Sequence, residues 1–129
     1  MADYSPVYSG GVMPFTSTTS AAVTGGQVLI VTGAGTCGPA TAAAATCVGV
    51  AAHDAASGAI VTVWPLTNVI HEIVVVAAAT VTAADGVISG TAGTVNTSAV
   101  GVAAAAGTLL GIALTTAVAP NKVTFIGRG

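Results

Sequence analysis

Residues 49–65 read GVAAHDAASGAIVTVWP, and 62 positions further along residues 111–126 read GIALTTAVAPNKVTFI. In each, an apolar run opening on Gly gives way to a tip and then to a second run with Thr between apolar residues. Short β-branched runs bounded in this way read as strands joined by a turn. The tips hold Asp, Ser and Gly in one copy and Pro and Asn in the other, residues that build turns for identifiable backbone reasons. His53-Asp54 of the first tip stands where the second has Thr115-Thr116. A shared catalytic design would not tolerate that exchange, so the pair reads as loop tip and not as chemistry.

Working outward, residues 23–36 (VTGGQVLIVTGAGT) align with residues 81–94 (VTAADGVISGTAGT) at an offset of 58. Two blocks in the same order make the chain an internal duplication. The rise in offset from 58 to 62 places about four extra residues in the second copy, in the AAAAG stretch around residue 105. The Ala runs 42–45 and 103–106 are too short to nucleate a lasting helix alone. The expectation is an all-β fold, a small β-sandwich or barrel built from two duplicated halves. It covers a single β domain over residues 21–129, with pseudo-repeats 21–64 and 79–126, behind an extended N-terminal arm of residues 1–20.

The arm is set apart by composition. Three of the five aromatic residues, Tyr4, Tyr8 and Phe15, fall in the first fifteen positions with Pro6, Gly10, Gly11 and Pro14. A Pro/Gly-rich leader is neither helix nor central strand. Its rings make sense as anchors on a partner, which names Tyr4, Pro6, Tyr8, Pro14 and Phe15 as candidate contact residues. The competing reading is a leader folded back on its own core.

Charge narrows the partners. Only Asp3, Asp54, Glu72, Asp85, Lys122 and Arg128 are charged, where an ordinary domain is about a quarter charged. A weakly polar surface of this kind favours contact with other protein. Two basic residues are too few to neutralise a run of phosphates, so neither nucleic acid nor anionic lipid is expected as a partner. Residues 100–119 are uncharged and long enough to span a bilayer, but their Gly and Thr content and missing flanking belt argue against a membrane segment. The opening MADYSPVYSG has no basic or apolar region of a signal peptide.

Candidate chemistry is sparse. His53-Asp54 and His71-Glu72 are neighbours in sequence, and adjacent strand residues point to opposite faces, so neither pair is a bonded dyad. His71 is expected at a solvated strand position or in an interface hydrogen bond. Residues 32–36 (TGAGT) lack dinucleotide-loop spacing and a following helix. Cys37 and Cys47 have no metal-ligand spacing and read as small, reduced, buried side chains. No catalytic residue, cofactor or metal is expected, and the chain reads as no enzyme.

Residues 21–36 (AAVTGGQVLIVTGAGT), 48–65 (VGVAAHDAASGAIVTVWP), the strand carrying His71-Glu72, the AADG turn at 83–86 and the closing GIALTTA and KVTF together resemble the small capsid decoration proteins of tailed bacteriophages, especially those infecting actinobacteria. The resemblance implies a compact β domain, usually a homotrimer, on the outer face of an icosahedral head. It also implies cementing of neighbouring major capsid protein subunits and no enzymatic activity. A tail-tube or head-fibre subunit shares this composition. A carbohydrate-binding module would need exposed rings on the β domain, where Trp64 is the candidate.

Overall fold

The computed structural model describes residues 3–128; the first two residues of the expected arm and the closing Gly129 lie outside them. The regular elements are almost all strands, in the order β1 (Phe15–Thr19), β2 (Val28–Gly33), β3 (Thr36–Pro39), β4 (Cys47–Ala51), β5 (Ile60–Trp64), β6 (Ile70–Val74), β7 (Thr80–Val81), β8 (Gly86–Ser89), β9 (Val95–Ser98), β10 (Gly111–Ala113), β11 (Ala117–Val118) and β12 (Lys122–Gly127). Among the described residues one α-helix, α1 (Val100–Ala106), joins β9 to β10, and a 3-10 turn at Thr91–Gly93 joins β8 to β9. The first five strands close into a barrel in the order β1-β3-β2-β4-β5. The second half is an open sheet, β6-β12-β10-β8-β9, with β7 and β11 paired beside it.

The two halves repeat strand for strand and register for register. Leu29 pairs with Gly49 on β4 as Val87 pairs with Gly111 on β10. Ala51 pairs with Val63 as Ala113 pairs with Phe125. The Val23–Ala55 bridge of the first half becomes the β7–β11 pair at Val81–Ala117 in the second. The parallel contact Thr19–Cys37 that closes the barrel recurs as the parallel bridge Val75–Val95, which draws the open sheet together. The offsets match the sequence alignment, 58 from Val23 to Cys37 and 62 after α1, while the strand ahead of the aligned blocks recurs at 56, as Thr19 and Val75 show.

The repeat also begins earlier than residue 21. On β1, Phe15 pairs with Val63 and Thr18 with Ile60, while on β6 His71 pairs with Phe125 and Val74 with Lys122. β1 is therefore the counterpart of β6, with Phe15 in the place of His71. This shortens the expected arm: residues 15–19 are a full barrel strand, because the Thr-rich run FTSTT suits a pleated, half-buried surface.

Burial follows the same symmetry. The barrel encloses Val23, Leu29, Cys37, Ala51, Val61 and Val63. Their counterparts Val81, Val87, Val95, Ala113, Val123 and Phe125 all lie in the larger second core. Strand alternation turns Val28 and Val50 to the opposite face of the barrel wall, where they join that second core and tie the halves together.

Gly49 and Gly111 are counterparts too, and at each a Cβ would collide with a carbonyl, that of Trp64 in one half and Ile126 in the other. Close strand approach at these points demands glycine.

The Ala run at 103–106 departs from expectation by forming the last turn of α1. Ala103 is buried, and Gly107 ends the helix in the left-handed region (φ 73°) with its N–H directed to the Ala103 and Ala104 carbonyls. Packing and a Gly cap supply what the run lacks alone. The other Ala run, 42–45, contains no helix. Residues 100–119 divide among α1, β10 and β11, and no helix of the described residues is long and apolar enough to cross a membrane.

Candidate functional site

The two hairpin tips carry His53-Asp54 in one half and Thr115-Thr116 in the other. His53 Nε2 accepts the Thr62 backbone N–H at 3.2 Å, and in the sister tip Thr115 Oγ1 accepts the Thr124 N–H at 3.0 Å. Asp54 Oδ1 accepts the Gly25 N–H at 3.0 Å, and Thr116 Oγ1 accepts the Ala83 N–H at 3.0 Å. Each His or Asp and its Thr counterpart thus do the same work, satisfying a backbone donor at a strand turn. The preceding turns match as well, with Gln27 Oε1 accepting the Thr24 N–H and Asp85 Oδ2 accepting that of Thr82, at 2.8 and 2.9 Å.

His71 is a correction. It is fully buried, not solvated. Period-two alternation puts it on one face with Val69, Ile73 and Val75, all buried, and that apolar face was the signal available in the sequence. Its Nε2 lies 2.8 Å from the Pro65 carbonyl, which can only accept, so Nε2 carries the proton. Nδ1 is then an acceptor, and the Tyr4 hydroxyl donates to it at 2.8 Å. The same hydroxyl accepts the Glu72 backbone N–H at 3.2 Å. Tyr4 stacks over the imidazole at 5.9 Å and 19°, and Phe125 packs on it at 5.9 Å. Burial lowers the His71 pKa against the opposing pull of the Pro65 bond, holding the ring neutral. Burial also pushes the Tyr4 phenol up to about 12, so its proton stays in place.

The N-terminal segment is therefore strapped to its own domain at Tyr4. The Tyr4 N–H donates to the Ala52 carbonyl at 2.7 Å, and the Ile70 N–H to the Tyr8 carbonyl at 2.8 Å. Val7 N–H returns a bond to Ile70 at 2.9 Å. Beyond this clasp the side chains face outward. Val7, Tyr8, Met13 and Phe15 are 60, 63, 78 and 42% exposed, a concentration of large apolar surface within nine residues. Pro6 and Pro14 lie in the same stretch, both half-buried. Of the expected anchors, then, Tyr4 faces inward, while Tyr8 and Phe15 present their rings to solvent.

Elsewhere the described residues offer little chemistry. Cys37 is buried in the barrel, Cys47 is half-buried with its thiol pushed up by burial, and both are free. No group of three or more His, Cys, Asp or Glu among the described residues could hold a metal ion. Asp3, Glu72 and Lys122 share a groove beside Tyr4 between the two halves. Trp64 is half-buried in β5.

The duplicated scaffold uses polar groups to close its own turns and displays apolar side chains on a strapped leader. The chain belongs to the phage cement protein family, which matches residues 7–128. The fold is similar to that in "The crystal structure of head fiber gp8.5 N base in bacteriophage phi29", with a TM-score of 0.64 and 19% identity over 89% of this chain and 92% of that one. None of the curated proteins matches the chain.

Proposed function

We propose that this protein decorates the outer surface of a phage head as a homotrimer and stabilises it by bridging neighbouring major capsid protein subunits. The observation that carries the reading is the outward-facing row Val7, Tyr8, Met13 and Phe15 on a leader held in place by backbone bonds. A pre-ordered apolar surface loses little entropy on docking, and three copies per trimer multiply the apparent affinity. Pro6, Tyr8, Pro14 and Phe15 make the contact in this account, while Tyr4 holds the strap in register. The sparse charge gives no steering field, so affinity comes from burial and fit. Heads purified without this protein, incubated with full-length chain or with a Tyr8→Ala, Phe15→Ala double variant, test it. The wild type is expected to saturate the heads and raise their disruption temperature, and the variant to do neither. Equal binding by both would move the contact elsewhere on the domain.

The likeness to the phi29 head fibre base favours a second reading, a pedestal seated on the head. On that reading the chain is expected to occupy heads without raising their disruption temperature, so the same experiment separates the two.

A further inference from the structure

The duplication supplies its own example of what binds at a strand edge of this fold. In the second half, the strap runs along the free edge of β6. There Ile70 exchanges backbone bonds with Val7 and Tyr8, the Glu72 N–H reaches the Tyr4 hydroxyl, and the Tyr4 ring covers His71. The counterparts of Ile70, His71 and Glu72 in the barrel are Pro14, Phe15 and Thr16, by the matched pairing of β1 with β5 and β6 with β12.

This counterpart edge is open. β1 pairs with β3 only at Thr18 and Thr19, and the Ser17 hydroxyl and Thr18 N–H reach the Gly35 carbonyl just ahead of β3. Thr19 directs its N–H to the Ala59 carbonyl and accepts the Gly58 N–H, both on the β5 side. By alternation the backbone groups of Thr16 point the other way, to the β3 side, where the Thr18 N–H meets the Gly35 carbonyl and β3 has not yet begun. Thr16 is exposed, and the Phe15 ring stands 42% exposed where His71 is wholly covered.

We infer that the Pro14–Phe15–Thr16 edge of β1 receives an extended, uncharged segment of the capsid subunit carrying an aromatic ring. The ring lies over Phe15 as Tyr4 lies over His71, and the Thr16 N–H is satisfied by that segment as the Glu72 N–H is by Tyr4. This is strand addition anchored by an aromatic side chain, and it rests on the capsid-binding reading above. A second copy of this chain is the poorer occupant, because each copy's Tyr4 is engaged on its own His71 and the backbone of its exposed Tyr8 is already bonded to Ile70. Pro14 offers a carbonyl but no N–H, which blunts the edge against indiscriminate strand pairing and leaves the ring contact to select the partner.

The test uses full-length protein and heads purified without it. Thr16→Pro removes one outward donor at a position that gives β5 no backbone bond, Phe15→Ala removes the ring's platform, and Val118→Ala alters an exposed residue in the other half as a control. Phe15→Ala and Thr16→Pro are each expected to weaken occupancy about tenfold or more, the scale of losing one anchor, with circular dichroism and oligomer mass unchanged. Phe15 replaced by p-benzoylphenylalanine is expected to crosslink, on heads, to a capsid-subunit peptide containing Tyr, Phe or Trp. If Thr16→Pro disturbs folding, Phe15→Ala and the crosslink decide. Unchanged occupancy of the folded variants, or adducts only with a second copy of this chain, overturns the inference. Failure of wild type and Val118→Ala alike to bind heads overturns the capsid reading itself, and this occupant with it.

Discussion

Tyr4→Phe isolates the clasp between the leader and the second half. The substitution keeps the ring over His71 and deletes one oxygen. That oxygen donates to His71 Nδ1 at 2.8 Å and accepts the Glu72 N–H at 3.2 Å. His71 has no exposed surface, so its Nδ1 is left a buried acceptor without a donor, at a cost of about 1–3 kcal/mol. Glu72 is exposed, and water can replace the bond to its N–H at little cost. The aromatic contact, worth about 0.5–1.5 kcal/mol, survives in Phe and is lost in Tyr4→Ala. Urea denaturation at pH 8 and fixed protomer concentration measures both, the concentration being held because assembly adds to apparent stability. The expected losses are about 1–2 kcal/mol for Tyr4→Phe and more for Tyr4→Ala. Adding His71→Phe to Tyr4→Phe makes both partners apolar and should recover part of the loss, since the orphaned acceptor goes with it. A Tyr4→Phe variant within about 0.3 kcal/mol of wild type would refute the reasoning, showing that the hydroxyl is not what holds the strap.

The other predictions draw on the same features. Burial lowers the native His71 pKa, so the unfolded chain binds a proton the native state refuses. The His71 contribution is then full above the ordinary value of about 6.5 and is lost as pH falls below it. Denaturation midpoints measured from pH 7.5 to 5 should decline in wild type and less steeply in His71→Phe. The double change His53→Thr, Asp54→Thr copies the sister tip, whose Thr115 and Thr116 satisfy the matching donors; its unfolding free energy should lie within about 1 kcal/mol of wild type, the scale of one hydrogen bond. Gly49→Ala and Gly111→Ala each force a Cβ onto a strand carbonyl and should each cost about 1–3 kcal/mol or more. Gly101→Ala, in open space on α1, should be neutral or stabilising by up to about 1 kcal/mol, read by the same urea denaturation.

The legible part of the fold was the part where both copies kept chemically similar residues. VTGGQ and VTAAD reveal β2 and β8 because Gln27 and Asp85 cap the same turn. The β4–β5 and β10–β12 hairpins show through because Gly49 and Gly111 must both remain Gly. β1 and β6 stayed hidden: FTSTT and IHEIV share no residue in register, and their equivalence lies in which strand each pairs with. The candidate site was half legible for a related reason. Aromatic and Pro composition marked the leader, yet Tyr4 and His71 meet across 67 residues, a contact set by tertiary packing that no local pattern encodes. The α1 turn was missed because burial of Ala103 and the Gly107 cap supply its stability.

The central claim is that this chain cements a phage head, and electron cryomicroscopy of heads with and without it tests that claim most directly. The account predicts density on the outer surface at junctions between neighbouring major capsid subunits, with the segment around Tyr8 and Phe15 against the shell, and greater resistance of the decorated heads to heat. Density confined to a single capsid subunit, to the interior or to the tail, or no binding at all, would contradict it.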